Sequence, residues 1–155
     1  GADPGEVLRD VPFETFLAKL PECRRQCGDR AVLRAFHIYA DNDRVAKQVA
    51  ALREGDFSTF LRLVNESGHS SWEYLQNVIP AGYKEHQEMG VTIAAAKHYL
   101  NGKGAVRVHG GGFAGTAQAF VPVEMLADFK KNMEAILGEG RCHVLSIRPE
   151  GGAVL

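Results

Sequence analysis

The spacing of apolar residues predicts a helical hairpin in the first half of this chain. Residues 30–53 carry one apolar stripe at intervals of mostly three and four: Phe36, Tyr39, Ala46, Val49 and Leu52. Residues 57–78 carry a second: Phe57, Phe60, Leu61, Val64, Gly68, Trp72, Leu75 and Val78. Such spacing is typical of one face of a helix. Between the stripes, Gly55 is suited to end a helix and Asp56 to begin the next. We therefore expect two antiparallel helices.

Three shorter helices are predicted around this hairpin. Residues 13–20 form a short one that Pro21 ends. Residues 84–100 form another, which Asn101 and Gly102 end. Its inward side chains are Met89, Ile93, Ala96 and Leu100. Residues 123–137 form the last, with the inward side chains Met125, Phe129, Met133 and Ile136.

Alternation of polar and apolar residues predicts strands in the last third of the chain. Val106 and Val108 alternate with Arg107 and His109, and "TAQAFV" alternates again before Pro122. "CHVLSIR", residues 142–148, is predicted as a final strand. The order is helices followed by β-loop-β-α-β. We expect an α+β fold, in which the helical hairpin and further helices pack on one face of a small antiparallel sheet.

Composition and charge narrow the class of protein. A chain of 155 residues is long enough for one domain with a sizeable core. A net charge of −1 gives no field that attracts nucleic acid or an anionic membrane. Three cysteines are an odd and sparse set, typical of reduced thiols. The start, "GADPGEV", is unlike a signal peptide, and no apolar run reaches the roughly 18 residues of a membrane span. We expect a cytoplasmic protein without nucleic-acid or membrane partners.

The stretch "RVHGGGFAGTAQAF" matches the dinucleotide fingerprint G-x-G-x-x-G through Gly110, Gly112 and Gly115. A dinucleotide fold needs these glycines to open a helix, whereas here they open an alternating strand pattern. A Walker A loop needs a lysine before the final Ser or Thr, which "AGT" lacks. A protein-kinase glycine loop needs further motifs and more chain than follows residue 115. None of the three familiar phosphate loops fits.

Two interpretations of the glycine run stay open. One is a tight hairpin turn that needs positive φ angles. The other is close approach of bare backbone to a phosphate or another loop. Glycine costs about 0.5–1 kcal/mol relative to alanine in regular structure. The stretch 102–115 nevertheless contains six: Gly102, Gly104, Gly110, Gly111, Gly112 and Gly115. This density favours close approach.

Three stretches together resemble a known superfamily. "VHGGGFAGTAQAFVP" is similar to the third motif of the GHMP kinases, in the galactokinase form of a strand, G-G-G-F-G-G and a second strand ending Val-Pro. "ALREGDFSTFLRLVNESGHSSW" resembles the galactokinase helical hairpin, and "LRAFHIYADNDRV" the helix before it. The resemblance runs from about residue 30 to the end, through "VLSIRP". Ala114 replaces the usual fifth glycine, and "NVIPAGYKEHQEMG" departs from the Cys-Pro-Glu-Leu-Asp loop of galactokinases.

The resemblance implies that residues 30–155 are the C-terminal domain of a galactokinase-type sugar kinase, with 1–29 a linker and a short helix. ATP, Mg²⁺ and the sugar would be bound by the whole enzyme, whose ATP- and sugar-binding N-terminal domain has no counterpart here. This chain would hold no catalytic residue or metal ligand and would be inactive alone. Its glycine loop would form one wall beside the phosphates. The loop residues are Gly110, Gly111, Gly112, Phe113, Ala114 and Gly115, with His109 as a further candidate.

A second hypothesis uses the same fold without catalysis. The chain would then be a regulatory module that binds a sugar or a protein partner. The ligands ATP and Mg²⁺ would have no role in such a module. Binding of a sugar without any effect of nucleotide would favour it over the kinase.

Other polar groups receive structural interpretations. Ser67, His69, Ser70 and Ser71 lack a nucleophile elbow, so we expect them to pack between helices near a domain junction. Gly68 on the apolar stripe predicts close approach of another helix. Asp41 and Asp43 begin like a calcium loop, but Val45 and Ala46 replace residues that such a loop needs, so we expect solvated helix surface. The six histidines show no metal-ligand spacing.

Overall fold

The structure, a computed structural model, describes residues 7–113 and 115–147. Its α-helices are α1 (Phe13–Ala18), α2 (Leu20–Cys27), α3 (Asp29–Arg53), α4 (Phe57–Ser70), α5 (Glu88–Leu100) and α6 (Leu126–Leu137). Its strands are β1 (Ala105–Val108) and β2 (Ala117–Phe120). Single turns of 3-10 helix lie at Leu8–Asp10 and Val123–Met125, and a π-helical turn follows α4 at Ser71–Leu75. The predicted α+β class is confirmed.

The turn of the helical hairpin forms as its sequence predicts. Gly55 has a φ of +73°, a conformation that side chains with a Cβ rarely adopt. Asp56 precedes α4, and its Oδ1 accepts a hydrogen bond from the backbone N–H of Thr59 at 2.9 Å. This bond satisfies one of the N–H groups that a helix start leaves without a partner. Local chemistry therefore fixes where α3 ends and α4 begins.

The buried face of α3 differs from the predicted one. Val49 and Leu52 are 42% and 46% exposed. A second stripe with the same helical spacing, His37, Asp41, Arg44 and Ala51, turns inward instead. This second stripe is the buried one because His37 and Asp41 form hydrogen bonds with residues of neighbouring elements. Apolar periodicity alone could not separate the two faces.

The first two helices pack on the start of α3. The predicted helix over 13–20 ends two residues early, and Pro21 lies in the first turn of α2, where a missing N–H costs nothing. Phe13 and Phe16 of α1 pack against Phe36 and Tyr39 of α3, with ring centroids 5.0 to 5.9 Å apart. Phe36 and Tyr39 thus pack against α1 rather than within the helical hairpin.

The main core lies where α5 and α6 meet the two strands. The strands pair antiparallel, with Ala105 opposite Phe120 and Val108 opposite Ala117. The buried core side chains are Val78, Ile93, Ala96, Leu100, Val106, Val108, Phe129 and Met133. The predicted inward residues Ile93, Ala96, Leu100, Phe129 and Met133 are confirmed, whereas Ile136 is 45% exposed.

Helix α4 runs along the edge of β1 that β2 leaves free. The Asn65 amide donates to the Gly104 carbonyl at 3.1 Å and accepts from the Val106 N–H at 3.1 Å. A Cβ on Gly68 would lie 3.0 Å from the Arg107 Cβ and 3.1 Å from the Val106 carbonyl oxygen. The close approach predicted at Gly68 exists, but its partner is a strand and not a helix.

The predicted strand at 142–148 is wrong over its described residues. Residues 141–147 have no regular secondary structure, and Arg148 lies outside the described part of the chain. Val144, Leu145 and Ile147 are 63%, 86% and 87% exposed. Alternation creates a strand only where a ladder partner is present, and the described sheet contains only β1 and β2.

Candidate functional site

The glycine loop joins β1 to β2, as the alternation on both sides predicts. A hydrogen bond from the His109 N–H to the Thr116 carbonyl, 2.8 Å long, closes its base. Gly110, Gly112 and Gly115 have φ values of +61°, +74° and +79°. Since the loop does not open a helix, it has no helix N-terminus to offer to an anion. Its own backbone N–H groups are the donors that remain.

The loop rests on Asn77, a residue that the sequence analysis did not single out. The Phe113 N–H donates to the Asn77 carbonyl at 3.1 Å. A Cβ on Gly112 would lie 2.2 Å from that carbonyl oxygen and 2.7 Å from the Asn77 Nδ2. Close approach of bare backbone is therefore real at Gly112, and the neighbour is protein. No local sequence pattern marks Asn77; the structure distinguishes it by the burial of its amide side chain, because the residue is 1% exposed.

The remaining loop residues face outward. Among the described residues, a Cβ on Gly110, Gly111 or Gly115 would meet no atom within 4 Å apart from its chain neighbours. Phe113 has a φ of +53°, which is rare for an aromatic residue, and is 47% exposed. Ala114 lies outside the described residues. The loop thus offers an open surface instead of an enclosed cavity.

His109, the further candidate, is exposed at the end of β1. Its Nδ1 lies 3.3 Å from Oε1 of Gln118 on β2. This contact links the two strands at the base of the loop. The structure therefore places His109 beside the loop but gives it a cross-strand partner.

A polar cluster around Arg107 ties three elements to β1. The Arg107 guanidinium donates to the hydroxyls of Ser67 and Ser71. Ser67 donates to Asp41 Oδ1 at 2.5 Å, and Asp41 also lies 3.2 Å from Arg44 and 3.9 Å from Arg107. The cluster joins α3, α4 and the π-helical turn to the strand that leads into the glycine loop.

This cluster corrects one prediction and refines another. Asp41 is only partly exposed and is paired, so the expectation of solvated helix surface is wrong there, although Asp43 does pair with Lys47 at the surface. Ser67, Ser70 and Ser71 are buried packing residues as expected, but His69 is exposed. No described residues gather three metal-ligating side chains of the His, Cys, Asp or Glu type.

Ser70, His37 and Asp41 have the composition of a nucleophilic triad. His37 Nδ1 lies 2.9 Å from the Ser70 hydroxyl, and its Nε2 lies 3.7 Å from Asp41. Ser70 and His37 are each 3% exposed, however, so no substrate carbonyl can reach the hydroxyl. The group holds α3 against α4.

We expect Arg107→Met to lower the free energy of unfolding by about 2 kcal/mol, because it leaves Ser67, Ser71 and Asp41 short of a buried donor. Urea denaturation measures the change. Arg62→Met is the matched control, since its pair with Glu66 is exposed and worth less than about 1 kcal/mol. Equal losses in the two variants would contradict this role for Arg107.

The burial of His37 predicts a pH-dependent stability. Burial lowers the pKa of His37 below its ordinary 6.5; Asp41 opposes this, and Arg107 and Arg44 add to it. Below pH 6.5 the unfolded chain therefore binds a proton that the folded chain resists, so the free energy of unfolding falls until the pH reaches the lowered pKa. We expect His37→Gln to flatten this loss in urea denaturation between pH 8 and 5. Parallel profiles would contradict it.

Comparisons with known proteins show which proteins this chain is similar to. No family model matches the chain. Galactokinases from Mannheimia succiniciproducens, Glaesserella parasuis and Actinobacillus pleuropneumoniae are 31%, 30% and 29% identical to it over 126 residues. These residues are 81% of this chain and 31% of each relative, so the chain spans about a third of their length.

These matches support a fragment related to the GHMP kinases. Within that class, the similarity is to galactokinases. In the described ranges, no helix combines the length and the apolar character needed to cross a bilayer.

Proposed function

We propose that this chain is the C-terminal domain of a galactokinase-like sugar kinase, over residues 30–155, with 1–29 as a linker and short helix. One observation carries the proposal: curated galactokinases match 81% of the chain at about 30% identity. The whole enzyme would transfer the γ-phosphoryl group of ATP to the anomeric hydroxyl of galactose or a related sugar. Its N-terminal domain would be the main partner of this one.

The residues of this chain would serve positioning rather than chemistry. Phosphoryl transfer is accelerated mainly by orientation and by stabilisation of charge on the phosphoryl oxygens. Bound ATP and Mg²⁺ would supply the transferred group and neutralise its charge. The loop Gly110–Gly115 would hold the phosphates or the neighbouring sugar with backbone N–H groups. Its open face supports this, because nothing in the described chain lies within 4 Å of a Cβ on Gly110, Gly111 or Gly115.

A groove away from the loop does not compete with it as the candidate site. It has a volume of about 530 Å³, lies between α4 and the α5–β1 turn and includes Arg62, Glu66 and Lys103. No residue of the glycine loop lines it. The loop by itself thus presents only one wall of a site. The proposal requires a partner domain to supply the other walls.

The test is an assay of phosphoryl transfer from ATP to galactose. We expect no turnover from this chain alone and turnover once an N-terminal galactokinase half is present. Robust activity of the isolated chain would overturn the assignment of the catalytic groups to another domain. Calorimetry with galactose and ATP adds the other arm: sugar affinity that nucleotide does not change would point to a regulatory module instead.

A further inference from the structure

The amide of Asn77 is a buried polar group with nothing to bond to in the described part of the chain. Its residue is 1% exposed, and neither Nδ2 nor Oδ1 has a hydrogen-bond partner there. A buried amide without partners is destabilising, because folding removes its bonds to water. Apolar side chains of similar size would fill the same space without this cost. A buried, unpaired amide of this kind suggests that the residue acts in a state other than the ligand-free fold.

A second asparagine provides the contrast. Asn65, on α4, uses both ends of its amide, donating to Gly104 and accepting from Val106. That amide stabilises the edge of β1. The two side chains are chemically identical, so the difference between them lies in their surroundings.

The position of the Asn77 amide points to the glycine loop. Its Nδ2 lies directly beneath Gly112, at 2.7 Å from where a Cβ would stand. The adjacent peptide is already held by the bond from the Phe113 N–H to the Asn77 carbonyl. A loop that turns its N–H groups outward to an anion must turn the matching carbonyls inward. Those carbonyls then need a donor, because buried carbonyls without one are unfavourable.

We propose that Asn77 is a positioning residue of the phosphate loop: its Nδ2 donates to an inward carbonyl of Gly110–Gly112 when the loop binds phosphate. This inference rests on the proposed kinase function. The three consecutive glycines fit it, since peptides between residues without a Cβ rotate at low steric cost. Asn77 does not touch the substrate and acts through the backbone of the loop.

The test uses the full-length kinase with the matched variants Asn77→Leu and Asn65→Leu. We expect Asn77→Leu to keep or raise Tm and to raise the KM for ATP about tenfold, which is what one hydrogen bond formed when the loop binds phosphate is worth. The kcat should change less. Asn65→Leu should instead lower Tm by about 2–4 °C because its amide is paired in the free fold.

Hydrogen exchange of the wild-type loop provides a second measurement that does not depend on any variant folding. We expect residues 110–115 to exchange more slowly with AMPPNP, Mg²⁺ and galactose than without them. Exchange that these ligands leave unchanged would overturn the inference, as would a lowered Tm or an unchanged KM for ATP in Asn77→Leu. A wild-type kinase that does not phosphorylate galactose or a related sugar would overturn the proposed function, and this inference with it.

Discussion

Gly112→Val in the full-length kinase should lower kcat/KM for phosphoryl transfer by about 10²-fold, the cost of misplacing a reacting group by roughly 1 Å. A Cβ at this position would lie 2.2 Å from the backbone oxygen of Asn77, which already accepts a hydrogen bond from the Phe113 N–H. The φ of +74° adds backbone strain for any residue but glycine. Steady-state kinetics with ATP and galactose measure the loss.

The matched control is Gly55→Val, in the turn between α3 and α4. Its φ of +73° gives the same backbone strain, and a Cβ there would meet nothing within 4 Å among the described residues. We expect turnover within about threefold of wild type, a change of less than 1 kcal/mol. If Gly112→Val retained near-normal turnover, the loop would be merely a turn. If Gly55→Val lost as much, backbone strain and not contact with Asn77 would set the effect.

Gly104→Ala should produce the largest loss of stability, about 3 kcal/mol, because overpacking a core costs that much when the neighbours cannot shift. Gly104 precedes β1, and its Cβ would lie 2.2 Å from the Phe120 carbonyl oxygen and 2.8 Å from Leu100 Cδ2. The first of these atoms belongs to the backbone of β2. Urea denaturation of this chain measures the change.

A suitable control for Gly104→Ala is Gly111→Ala, which adds the same methyl group in open space. We expect its free energy of unfolding to change by less than about 0.5 kcal/mol. A small loss at Gly104 would mean that β2 can move away from β1 at low cost. The register of Ala105 opposite Phe120 would then be only loosely specified.

Local signals predicted most of the elements. The end of α3 and the start of α4 follow from Gly55 and Asp56, and the end of α5 follows from Asn101, which adopts the left-handed conformation at φ +45°. These signals work because each depends on a few neighbouring residues. The strand at 142–148 failed because a strand depends on a distant partner.

The candidate site was predictable in its loop but not in what supports the loop. Six closely spaced glycines suggested close approach without showing where. The structure divides them: a Cβ on Gly104 or Gly112 would clash with protein backbone, whereas one on Gly111 would meet no other described residue within 4 Å. Likewise, strand alternation marks Arg107 only as a polar position, whereas its guanidinium bonds to Ser67 and Ser71. Polar contacts between residues forty positions apart leave no local pattern.

The π-helical turn fixes the number of residues between α4 and Asn77. The Gln76 N–H donates to the Ser71 carbonyl at 2.8 Å, five residues back, so this turn holds one residue more than an α-helical turn. Deleting a single residue from 71–75 would restore α-helical spacing and rotate the following backbone by about 100°. Asn77 would then swing away from Gly112. The number of residues here, rather than their identity, sets whether the helical hairpin and the glycine loop meet.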